Sequence, residues 1–234
     1  MKPLLQLDPE KIIATIALLE KRINDRFPDS GLRKVTGEFL QTARDSKRNI
    51  EWISRPNIPL RAFSYLVVAT GIAGLVYSIN YVDLEIHDTA LANIVALSES
   101  IFNELILIGA AIFFLVTTES RIKRNRAIKQ LNELRVIAHV IDMHQLTKDP
   151  NLMDSTYQRT ESSPKRTLTA FELERYLDYC GEAAALIAKV AALYAQSLPD
   201  QVVVSNVNEI EQLCTGLSRK VWQKIIILNG QMDS

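Results

Sequence analysis

Between Ala62 and Val82 the chain runs for 21 residues without a charged side chain, although 27 acidic and 27 basic residues are spread through the whole. A helix rises about 1.5 Å per residue, so about 20 such residues cross the ~30 Å hydrocarbon core of a bilayer. A second apolar segment, Ser100 to Thr118, follows and stops at Glu119-Ser-Arg-Ile-Lys-Arg-Asn-Arg. Two segments of this kind in close succession predict one transmembrane hairpin. The alternative, a buried helical hairpin in a soluble core, sits poorly with arginines flanking so long an uncharged run.

The flanking charges orient the hairpin. Arg44, Lys47, Arg48, Arg55 and Arg61 precede the first span, and Arg121, Lys123, Arg124, Arg126, Lys129 and Arg135 follow the second. The connecting segment 83–99 carries Asp83, Glu85, Asp88 and Glu99 and no basic residue. Lys and Arg next to a span are retained on the cytoplasmic side. Both termini are therefore expected in the cytoplasm, with a short acidic loop outside. The N-terminus lacks the features of a signal peptide, so the first span is expected to direct insertion. Trp52 at the inner approach, with Tyr77 and Tyr81 near the outer end, suits interfacial aromatic belts. Small residues at Ala69 and Ala73, and at Gly74 and Ser78, offer a seam where two helices can approach closely.

Outside the membrane the chain reads as all-α. Only 8 glycines occur, and strong helix formers dominate. An N-terminal helical hairpin is expected over 1–56. Asp8-Pro9-Glu10 starts its first helix, and Ile12, Ile16, Leu19 and Ile23 recur on one face. Phe27 to Gly31 breaks the chain before a second helix over 32–53. The transmembrane unit then covers 57–118, with spans near 62–82 and 100–118. The second span is expected to run on into the cytoplasm over 119–147, where Ala127, Leu131, Leu134, Ala138 and Ile141 repeat at coiled-coil spacing. That stripe is the expected oligomer or partner contact. Residues 148–168 read as a loop. Thr169-Ala-Phe-Glu172 is a capping box opening an antiparallel helix pair over 169–230, with Gly230 as its stop. Cys180 and Cys214 are expected near each other across that pair, as packed thiols rather than a disulfide.

Three groups of residues are candidates for function. Glu104 lies 14 residues inward from Thr118, about 21 Å up the helix, and an intramembrane carboxylate needs an explanation. Asn103 is adjacent, and Tyr77, Ser78 and Asn80 on the first span lie at the expected depth to bond it. Such a residue lines a pore when chains assemble, or sits protonated or at the headgroup boundary. His139 and Asp142, three residues apart on a helix, form a candidate polar pair. Arg121, Lys123, Arg124 and Arg126 form a basic cluster suited to topology and to anionic lipid. His139 and His144 lack the spacing of a two-histidine metal pair, and no nucleotide-binding or nucleophile motif is present. No catalytic, cofactor or metal site is therefore expected, and zero net charge gives no argument for nucleic-acid binding.

Four stretches carry a resemblance: Arg26-Phe-Pro-Asp-Ser-Gly-Leu32, Ala138 to Pro150, Tyr176-Leu-Asp-Tyr-Cys180 and Leu217-Ser-Arg-Lys-Val-Trp-Gln-Lys224. Together they resemble uncharacterised bacterial inner-membrane proteins with one transmembrane hairpin and cytoplasmic helices. In layout alone the chain is also similar to two-span bacterial effector proteins. The resemblance implies a multi-pass inner-membrane location and assigns no site residue. The expected function is a non-enzymatic anchor in the lipid bilayer, carrying a cytoplasmic helical module that self-associates or docks a protein. The alternative is an oligomeric pore or membrane-perturbing effector with Glu104 facing the lumen.

Overall fold

A computed structural model of the chain describes residues 6–81, 90–153, 158, 160–163 and 167–232. Among these residues every regular element is helical: α1 (Pro9–Arg26), α2 (Gly31–Ser54), α3 (Ile58–Tyr81), α4 (Ala90–Leu146), a 3-10 turn (Pro150–Met153), α5 (Ala170–Ser197) and α6 (Gln201–Met232). They fall into two compact units, one of Met1–Ser54 with Arg124–Ser234, the other of Arg55–Lys123.

The first unit is a helical bundle built from α1, α2, the end of α4, α5 and α6. Asp8 caps α1, its Oδ1 accepting the Glu10 amide at 3.0 Å, and Ile12, Ile16, Leu19 and Ile23 are buried as their spacing predicts. The turn into α2 is tied by Ser30, whose hydroxyl donates to the Phe27 carbonyl at 2.8 Å and accepts the Arg33 amide at 3.2 Å. The capping box of α5 forms, with Thr169 and Glu172 each accepting the other's backbone N–H. At α6, Asp200 accepts the amides of Val202 and Val203 and pairs with Arg124 of α4 at 2.7 Å. One carboxylate therefore caps a helix and ties it to a neighbour. The Arg124 guanidinium beside it, with those amides, holds its carboxyl below the usual range.

Several expectations are corrected here. Ala127, Leu131, Leu134, Ala138 and Ile141 are wholly buried inside the bundle, so their 4-3-4-3 stripe packs within the chain and is not an oligomer seam. The stripe needs an apolar partner surface, and α1, α2, α5 and α6 supply it within one core. α6 runs through Gly230 to Met232, because none of the described glycines adopts positive φ and Gly230 is an ordinary helical residue. The two cysteines are buried but apart. Gly181 faces Val221 and Cys214 lies against the Ala188 backbone, which sets Cys180 opposite Trp222. That is about eight residues, or ~12 Å, from Cys214. Part of the expected loop over 148–168 is a 3-10 turn with Leu152 buried; residues 154–157, 159 and 164–166 lie outside the described residues.

The second unit pairs α3 with the first part of α4. α4 begins at Ala90, ten residues before the expected span, so half of the segment read as an acidic loop is helix. Ala90-Leu-Ala-Asn-Ile-Val-Ala-Leu97 is strong helix-forming sequence, and the charge pattern that marks a side of the membrane carries no secondary-structure information. Residues 82–89, with the core of the expected loop, lie outside the described residues. Among the described residues one helix, α4 from Ile101, is long and apolar enough to cross a membrane.

Candidate functional site

Within the second unit the register of α3 against α4 is set at Glu119. Its carboxylate accepts the Asn57 amide at 3.2 Å, sits 3.4 Å from Arg61 Nε and pairs with Lys123 at 2.9 Å. These donors, Lys123 above all, hold the carboxyl below its ordinary range. From that point the helices run antiparallel, and Glu104 arrives beside Gly74 and Gly71. A Cβ built on Gly74 would stand 3.2 Å from Glu104 Oε1, and one on Gly71 would stand 2.7 Å from Ile108 Cδ1. The two glycines therefore form a shallow notch in α3 that takes the Glu104 carboxylate and the Ile108 side chain.

This differs from the expected depth, which set Tyr77, Ser78 and Asn80 beside Glu104. α3 starts at Ile58 and includes Arg61, so the pairing begins below the uncharged run and the register shifts by about half a turn to a full turn. Asn103 is exposed, and Tyr77 is exposed one turn above Gly74. The Asn80 side chain lies outside the described residues. The sequence signal that marks the notch is the Gly71/Gly74 pair, three residues apart on one face, which the Gly74–Ser78 spacing obscured.

The other candidates resolve differently. His139 is exposed, and Asp142 instead accepts from Gln145 at 2.7 Å and faces Lys220 at 3.4 Å. The expected His139–Asp142 pair does not form, because Gln145 and, from α6, Lys220 take the Asp142 carboxylate and His139 points to solvent. The basic cluster is also largely spent inside the protein. Lys123 pairs with Glu119, Arg124 with Asp200, and Arg126 bonds Asn49 at 2.8 Å while covering the Trp52 ring at 4.5 Å. Arg121 is exposed. Trp52, 36% exposed, carries the Arg126 guanidinium over its ring in the α2–α4 contact.

Two further polar features emerge only from the packing. Lys224 donates to the carbonyls of Gln145 and Lys148 at 2.6 and 3.0 Å, closing the C-terminal end of α4 as a cation should. His144 packs edge-on over Gly31 at the start of α2, with Nε2 2.8 Å from where a Cβ on Gly31 would lie. Burial, with the Lys148 ammonium nearby, holds the His144 pKa below its ordinary value. The thiols of Cys180 and Cys214 are pushed up to about 12 and about 11 by burial, which keeps both protonated and unreactive. Among the described residues no group of three or more His, Cys, Asp or Glu is placed to hold a metal.

A pH dependence follows from His144. Its folded pKa lies below the unfolded value of about 6.5, so the unfolded chain binds the proton more readily. The stabilisation is complete above pH ~6.5 and is lost as pH falls from there through the folded pKa. Melting curves from pH 8 to 5 should fall on acidification, and H144Q should flatten that decline; parallel curves for the two proteins would rule out His144 as its source.

Comparison with known proteins finds no matching family model, no similar curated protein and no similar solved structure.

Proposed function

We propose that the chain is a non-enzymatic protein of the bacterial inner membrane, with α3 and α4 inserted as a hairpin and both termini in the cytoplasm. The helical bundle of the first unit is the working part, held at the membrane to self-associate or dock a protein. One observation carries this reading. In the second unit large apolar side chains face outward on both helices, among them Phe63, Leu66, Ile72, Phe102, Phe113 and Phe114, each more than half exposed. Soluble proteins rarely expose a contiguous apolar patch beyond a few hundred Å². Hydrocarbon is the solvent that makes such a surface stable.

The position of Glu104 favours an anchor over a pore. Its carboxylate is turned into the Gly71/Gly74 notch of the same chain, so it serves the seam of the hairpin, and a lumen-lining residue must face away from that seam. The membrane reading is tested with the full chain by alkaline carbonate extraction and by alkaline phosphatase fusions after Asp88 and after Asp233. The protein should stay in the membrane pellet, and only the Asp88 fusion should be active. Release into the carbonate supernatant, or activity of the Asp233 fusion, would sink the topology. A membrane-potential dye separates the pore: no depolarisation is expected on induction, and depolarisation abolished by E104Q would replace the anchor with a channel.

A further inference from the structure

Between α5 and α6 runs an open groove of about 490 Å³. Ala185, Ala188 and Ala192 form one wall, Cys214, Thr215 and Ser218 the other, and Leu7, whose backbone N–H and carbonyl are both bonded to Gln196 of α5, lines it as well. Lys189 flanks it from α5 and Glu211 from α6. The contacts of Gly181 with Val221 and of Ala188 with Cys214 set these two charges at nearly one level, about 3 Å apart along the helices. Lys189 reaches the Ala185 carbonyl of its own helix at 3.4 Å. Among the described residues neither Lys189 nor Glu211 has an ion-pair partner inside the chain. On α6, Glu211, Thr215, Ser218 and Trp222 follow one another at spacings of four, three and four, so one edge of the helix carries them all. Trp222 is 63% exposed and Ile226, one turn on, 54%. Tryptophan in such a position is the residue type most enriched in binding hot spots.

We infer that this groove is the contact face between two copies of the chain, related by a two-fold axis parallel to α5 and α6. A two-fold contact requires a self-complementary surface, in which residue i meets j and j meets i. One lysine and one glutamate at the same level on opposite rims meet that requirement. Lys189 faces Glu211 of the partner subunit, and Glu211 faces the partner subunit's Lys189. A uniformly acidic or basic partner would instead bring one pair of like charges together. Each α6 lies along the other copy's α5 as an antiparallel neighbour, and the small side chains of the groove let the helices approach closely. Trp222 and Ile226 extend the contact beyond the charged level. The inference rests on the self-associating form of the function proposed above and names its surface.

The test is the mass of the full chain in detergent micelles, by light scattering and sedimentation equilibrium. The wild-type chain should be a dimer. K189E and E211K should each weaken it about 10-fold or more, and the double variant K189E/E211K should regain most of the loss, since the exchanged charges meet again. W222A should weaken it about 30-fold. All three positions are at the surface, so circular dichroism and melting temperature should match wild type. A dimer that ignores both single reversals, or a double variant no better than either, overturns the groove while leaving self-association standing. A wild-type monomer that still resists carbonate extraction overturns the dimer and leaves the anchor.

Discussion

Replacing Leu134 by alanine should cost the chain about 3 kcal/mol of stability, within the range for large-to-small core changes, and leave its association state as it was. Leu134 is wholly buried on α4, in the stripe Ala127, Leu131, Leu134, Ala138 and Ile141. It belongs to the core that also contains Phe39 of α2 and Leu177 and Ile187 of α5. The truncation removes apolar contact and leaves a cavity that surrounding helices fill only in part. Denaturant unfolding checks the first half of the statement and sedimentation the second. If L134A dissociated an oligomer without lowering stability, the stripe would be an intermolecular seam and its assignment to the core would be wrong.

The second large effect belongs to the hairpin. G71L should cost about 2–3 kcal/mol, the upper part of the range for inserting bulk into a packed contact. Even the first carbon of the new side chain would stand 2.7 Å from Ile108 Cδ1 and Cγ1, so α3 and α4 must separate or Ile108 must leave its position. Trimming the opposing residue should return much of the loss, and the double variant G71L/I108A should be closer to wild type than G71L. Coupling of that kind is expected only for residues in contact. SDS titration of the purified chain, followed by circular dichroism, measures it. Equal stability for G71L and wild type would mean that the helices do not meet at this notch. G74L presses on the Glu104 carboxylate itself, 3.2 Å from the new Cβ. It should therefore also disturb any property that depends on Glu104.

The helical content, the start of α1 at Asp8 and the capping box of α5 are all legible in local sequence. Each is a local pattern whose energetics act within a few residues. Contacts between distant segments have a different character. The stripe on α4 is legible as a buried seam but its partner is not, because periodicity says that a face must be covered and not by what. Arg124 and Arg126 read as a basic cluster on the chain, yet Asp200 is 76 residues away from the first and Asn49 77 from the second. The same reasoning explains His139 and Asp142: a three-residue spacing permits a pair, and Lys220 of a distant helix takes the carboxylate.

By itself the sequence determined that this is a helical chain with an apolar, uncharged segment, that cationic residues flank it, and where most helices begin. These follow from backbone hydrogen bonding, capping and the free energy of transferring side chains out of water, none of which requires a distant neighbour. Only the tertiary structure decided which face meets which. It turned Glu104 into a glycine notch of its own chain and closed the α4 stripe inside the bundle. It also drew Lys123 and Arg124 into ion pairs and left Lys189, Glu211 and Trp222 outward on α5 and α6. Those outcomes depend on register between helices, and a shift of one turn, ~5.4 Å, exchanges one set of partners for another.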